Sequence, residues 1–93
     1  MSASYRVTYH EAVIREDIPR ISKTLRQRIR HAIEQRLTSN PALYGKPLRT
    51  SLHGYRRLRV GDWRIVYRIV AHNVRILAIR HRSDVYDVTV YRD

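Results

Sequence analysis

GYRRLRVGDWRIVYRIVAHNVRILAIRHRSDVY, running from Gly54 to Tyr86, is the stretch whose reading decides the fold. It holds eight of the chain's seventeen arginines, its single tryptophan and its clearest two-residue alternation. Tyr55 to Val60 and Trp63 to Val70 are rich in aromatic and β-branched residues, the pattern of strands. Gly61-Asp62 between them suits a two-residue hairpin turn. His72-Asn73 predicts a second turn, into a third strand from Val74 to about Arg80. In the middle strand Trp63, Ile65, Tyr67 and Ile69 share one face, while Arg64, Val66 and Arg68 point the other way. Arginines on the uncovered face of a central strand are costly to bury and well placed to bind an anion. The stretch therefore predicts a twisted antiparallel sheet that presents guanidinium groups to an anionic partner.

What precedes it predicts a helical backing. Tyr5 to Tyr9 alternates as a short strand, and Glu11 to Ile18 suits a brief helix that Pro19 interrupts. Ser22 is placed to cap a longer helix reaching about Leu37, with Leu25, Ile29, Ala32, Ile33 and Leu37 on one apolar stripe. Lys23, Arg26, Arg28, Arg30 and Arg36 lie largely off that stripe, either as a solvated face or as a second contact surface for nucleic acid. Thr38-Ser39-Asn40-Pro41 ends the helix, and Ala42 to Leu52 predicts a connector with turn chemistry at Gly45-Lys46-Pro47. The order of elements gives an α+β fold, with two N-terminal helices packed on one face of a small twisted antiparallel sheet. A single domain over residues 1–93 is expected. Asp87 to Asp93 alternates weakly and is open to two readings, a final strand or a loose tail.

Charge narrows the function. Nineteen basic residues against eight acidic give a formal net charge of +11. Such a field gathers polyanions and speeds encounter with them. Only Lys23 and Lys46 are lysines; arginine's planar fork binds phosphate bidentately and stacks on bases. There is no cysteine, hence no disulfide framework and no thiolate metal site. No HExxH, carboxylate cluster or glycine-rich phosphate loop occurs, so neither a metal nor a small-molecule cofactor is expected. The opening residues lack an apolar signal core and no run is long enough to span a bilayer, which predicts a cytoplasmic chain without a membrane partner.

Beyond composition, Asp17-Ile18-Pro19, Asn40-Pro41, Gly45-Lys46-Pro47-Leu48, Leu58-Arg59-Val60-Gly61-Asp62-Trp63-Arg64-Ile65-Val66-Tyr67 and His81-Arg82-Ser83-Asp84-Val85-Tyr86 form a set. Together they resemble the RelE/ParE superfamily of bacterial toxins, and within it the RelE-like branch. The resemblance implies a ribosome-dependent mRNA endoribonuclease acting in the A site, where the message's 2′-hydroxyl attacks the adjacent phosphate. It also implies a cognate antitoxin protein as partner.

Phosphoryl transfer builds negative charge on the equatorial and leaving oxygens, so fixed cations matter most. By resemblance, Arg64 and Arg80 take the scissile phosphate and Arg57 supports them from the first sheet strand. Arg56, Arg59, Arg68 and Arg82 are expected on adjacent RNA phosphates. Tyr86 matches the family's C-terminal tyrosine, expected to stack on a base and to be a candidate for accepting the 2′-hydroxyl proton. A phenol titrates near pH 10, so that role needs arginines close by. RelE proper carries lysines on the first sheet strand, where this chain has only arginines, which do not release a proton near neutrality. His81 is therefore a further catalytic candidate, with Asp84 either orienting it or acting itself. Regular alternation, however, points His81 and Arg80 to opposite faces. Two other functions stay open: a ParE-like inhibitor of DNA gyrase on the same scaffold, and a basic RNA-binding domain without chemistry.

Overall fold

The structure, a computed structural model, describes residues 4–48 and 54–83. Five strands form one sheet in the order β1-β5-β4-β3-β2, where β1 is Arg6–Tyr9, β2 Lys46–Pro47, β3 Tyr55–Val60, β4 Trp63–Val70 and β5 Asn73–His81. The α+β class holds, but the sheet is mixed. β2, β3, β4 and β5 pair antiparallel, whereas β1 lies parallel to β5, with Arg6 opposite Asn73 and Tyr9 opposite Ile76.

The first helical segment is irregular, a π turn over Val13–Asp17 running into a 3-10 turn over Ile18–Arg20 that admits Pro19. Helix α1, Lys23–Ala32, starts where expected, the Ser22 side chain accepting from the Leu25 N–H at 3.3 Å. It continues as a second π turn, Ile33–Leu37, which keeps Ile33 and Leu37 buried. The apolar stripe of these segments, Val13, Ile21, Ile29, Ala32, Ile33 and Leu37, meets Leu58, Val60, Ile65, Tyr67, Val74, Ile76 and Ile79 of the sheet. Each fully buried aliphatic side chain there contributes about 1.5–3 kcal/mol.

Between α1 and β3 the expected connector is partly structured. Pro41 opens a short helix α2, Pro41–Tyr44, at a position that needs no N–H donor. β2 follows, its Lys46 opposite Arg57 and its Pro47 opposite Arg56. Tyr67 reaches across from β4 to donate to the Pro41 carbonyl, and burial pushes its phenol up to about 12, so it stays a neutral donor. Gly45 is what lets it through: a Cβ there would lie 1.8 Å from the Tyr67 hydroxyl oxygen. Gly45→Ala is expected to destabilise the fold by about 1–3 kcal/mol, as overpacking does. A urea titration with an unchanged midpoint would refute this.

Two details of the sheet differ from expectation. The β4–β5 turn is Ala71-His72 rather than His72-Asn73, and Ala71 sits at φ 54°. Non-glycine residues seldom adopt that conformation, which is why the alanine gave no turn signal. The second is a bulge: Val66 opposes Ala78 and Tyr67 opposes Ile76, leaving Leu77 extra on β5. Leu77 and Ala78 then both join Val66, Tyr55 and Leu48 in a small second cluster. The face opposite the helices is therefore not the uniformly basic surface expected; Val66 and Ala78 at its centre are apolar and buried.

A candidate anion site on the arginine face

Beyond that apolar pair, the register brings three arginines side by side. Arg64 on β4 stands directly opposite Arg59 on β3 and opposite Arg80 on β5. Directly paired residues share a face, their Cα atoms about 4.5–5.5 Å apart. Like charges so placed repel, and two structural devices hold them. The Arg64 Nη1 turns back to donate to the carbonyls of Gly61 and Trp63, both at 3.0 Å, so the tight β3–β4 turn orients the guanidinium. Gly61, at φ 60°, allows that turn. Arg80 is held from the other side, its Nη1 donating to Asp17 Oδ1 at 3.3 Å.

Asp17 was not singled out for a role in the sequence, yet it is the key buried acid. Its residue is 1% exposed, and its Oδ2 accepts the Ile79 N–H at 2.9 Å. It thus satisfies the β5 edge beyond the end of β1 while fixing Arg80. The signal that could have found it is an acid at the C-terminal end of a helical segment, where the helix dipole disfavours negative charge. A carboxylate in that place needs a cation or a donor close by.

Arg64 is 8% exposed. Burial lowers its pKa below the usual arginine value, and the charges of Arg59, Arg57 and Arg82 push the same way against Asp62. A desolvated cation inside a ring of cations is stabilised by any anion that enters, above all by one with several acceptor oxygens.

The other expected site residues divide. Arg57 lies on this face one row away, opposite Val66, and Arg82 is exposed beyond the end of β5. Arg68 is exposed at the far end of the same face, its guanidinium 5.7 Å from the centre of the Tyr55 ring. Arg56 is elsewhere: it faces the helical side and donates to the Ala42 and Gly45 carbonyls at 3.1 and 3.0 Å, a structural brace rather than part of the arginine row. His81 also leaves the row, as alternation requires. It pairs with Trp63 edge-to-face at 5.8 Å, and its Nδ1 lies 3.0 Å from the Ser83 hydroxyl. Tyr86 and Asp84, and with them the expectations for the C-terminal segment, lie outside the described residues. Among the described residues no three His, Asp or Glu side chains come together in a way that would hold a metal, and no helix is long and apolar enough to cross a membrane.

Residues 4–86 match the family described as the ParE toxin of the type II toxin–antitoxin system, parDE. The chain belongs to that family. It is a toxin of the RelE/ParE superfamily, and within it the likeness to RelE proteins is close. It is 46% identical over 52 residues to Toxin RelE of Mycobacterium tuberculosis, a match spanning 54% of this chain and 54% of that protein. The match thus extends over only about half the length of that relative. A chain of the RelBE2 toxin–antitoxin complex from Mycobacterium tuberculosis superimposes with a TM-score of 0.79 at 31% identity, covering 88% of the toxin and 95% of that chain. Escherichia coli toxin RelE, solved free as an arginine-to-alanine double mutant, shares the fold with a TM-score of 0.76 at 17% identity, over 96% of the toxin and 97% of that chain.

Proposed function

We propose that this toxin is an endoribonuclease that cuts mRNA in the ribosomal A site, by attack of the 2′-hydroxyl on the adjacent phosphate. One observation carries the reading: Arg64, desolvated and oriented by a backbone turn, stands between Arg59 and Arg80 on one face. The negative charge that grows on the phosphoryl oxygens as the leaving 5′-oxygen departs is what such a row stabilises. Arg57 and Arg82 contribute field to the same point. Tyr86 is assigned the stacking role and a candidate role in taking the 2′-hydroxyl proton. His81, facing Trp63, is the weaker candidate for proton transfer. No cofactor enters this scheme.

The partners proposed are a ribosome with mRNA in its A site, and a cognate antitoxin. RelB–RelE from Methanococcus jannaschii is a toxin–antitoxin complex of similar fold. An acidic amphipathic antitoxin segment laid against the arginine face would neutralise it and keep the toxin idle in the cytoplasm.

The test is a primer-extension map of message from a translation extract dosed with the toxin, beside the same RNA without ribosomes. Cuts confined to the ribosome-bound message are expected; intact message in both arms would refute the nuclease reading. The family description as a ParE toxin favours one second reading, inhibition of DNA gyrase without cleavage. In that case supercoiling falls while the message stays whole. A basic domain without chemistry would bind RNA and do neither.

A further inference from the structure

A cleft of about 380 Å³ opens on the opposite side of β3, between α1 and the β3–β4 turn. Ala32 and Val60, both buried, form its floor, and the small Ala32 makes the depression between larger neighbours on the helix stripe. Its walls carry Arg28, His31, Gln35, Arg36 and Arg59, and no carboxylate lines it. Arg36 is braced over the Tyr44 ring, 6.0 Å from its centre. Every wall group can donate hydrogen bonds, and three are permanent cations.

We propose that this cleft is a second phosphate-binding site, which grips the backbone of an RNA strand alongside the strand's phosphate held at Arg64. The inference rests on RNA being the toxin's ligand, and not on its being cut. Three features select a strand over other anions. Arg28 and Arg36 are eight residues apart on the helix, roughly 12 Å at 1.5 Å per residue, a spacing that suits successive phosphates of a strand. Arg59 lines the cleft and also acts on the Arg64 charge, so the two basic surfaces are continuous. Only Ala32 and Val60 give the cleft apolar side chains, too little for the apolar face of a protein helix.

The test is binding, measured by fluorescence anisotropy with a short unstructured RNA over a salt series. The full chain is compared with Arg28→Ala/Arg36→Ala and, for equal loss of charge, Arg15→Ala/Arg20→Ala. All four side chains are exposed, and alanine favours helix, so melting temperatures should stay level. Each phosphate contact on a single strand contributes about 0.7 to the slope of log K against log salt. The cleft variant is expected to lose about 1.4 of slope and at least tenfold in affinity, the other variant little of either. Equal losses in both variants, an unchanged slope in the first, or a wild type that does not bind RNA would each overturn the proposal. So would displacement of the RNA by inorganic phosphate at matched ionic strength, which would mark a single-ion site. Because this RNA is free of ribosomes, the result does not depend on cleavage; a toxin that binds as expected but cuts nothing in extracts would contradict only the nuclease reading.

Discussion

Arg64→Ala will slow cutting of ribosome-bound message by about 10²- to 10³-fold, the usual cost of removing one fixed donor from a site of developing negative charge. The loss should appear in the cleavage step at saturating ribosomes. Arg64→Lys is expected to recover only part of it, since an ammonium keeps the charge but cannot reproduce the fork that spans the turn carbonyls and a phosphate together. Folding should change little by comparison, because the two carbonyls released can be reached by water at the turn. Single-turnover cleavage with a circular-dichroism melt of the same preparation makes the check. Undiminished cutting by a folded Arg64→Ala variant would exclude the arginine row as the catalytic centre. Undiminished toxicity with no cutting by either form would turn attention to gyrase.

The largest effect on stability is expected at Asp17. Replacing it with alanine strands the Ile79 N–H and removes a carboxylate that contacts Arg80, whose side chain is 12% exposed. Breaking a buried pair from one side costs about 3–5 kcal/mol. For a domain of this size, a loss near 3 kcal/mol lowers the melting temperature by about 15 °C. Asp17→Asn keeps an acceptor for the Ile79 N–H but gives up the charge. It should melt between the two, while cleavage falls more than its stability does, because Arg80 loses its orientation. A calorimetric scan placing Asp17→Ala within about 3 °C of wild type would show that the pair contributes nothing to folding.

Much of this architecture could be read from the chain. The Gly61-Asp62 turn and the strict alternation of β4 fixed the β3–β4 hairpin to the residue, and Ser22 marked the start of α1. What escaped was whatever breaks a period. Ile76-Leu77-Ala78-Ile79 is an unbroken apolar run, and the bulge inside it turns two consecutive residues to the same face. β2 is two residues long and ends in proline, too short to alternate. β1 was legible as a strand, but its parallel partner was not, since nothing local encodes a pairing so distant in sequence. The site was legible in part for the same reason. Arg64 follows from strand alternation, but Arg80 reaches the same face only through the bulge at Leu77, and Arg56, unlike its neighbours Arg57 and Arg59, turns to the helical side and braces two carbonyls. Asp17 acts across the fold, and local sequence patterns do not reveal tertiary partners.

The parallel docking of β1 against β5 has a consequence for timing. The three hairpin-linked strands need only short loop closures and can assemble quickly, whereas β1 emerges first from the ribosome and must wait for a partner near the chain's other end. Asp17 follows β1 closely in the chain, so Arg80 is clamped only when that slow closure is complete. On the proposed reading, a newborn chain would accordingly complete its arginine row only when that closure is made.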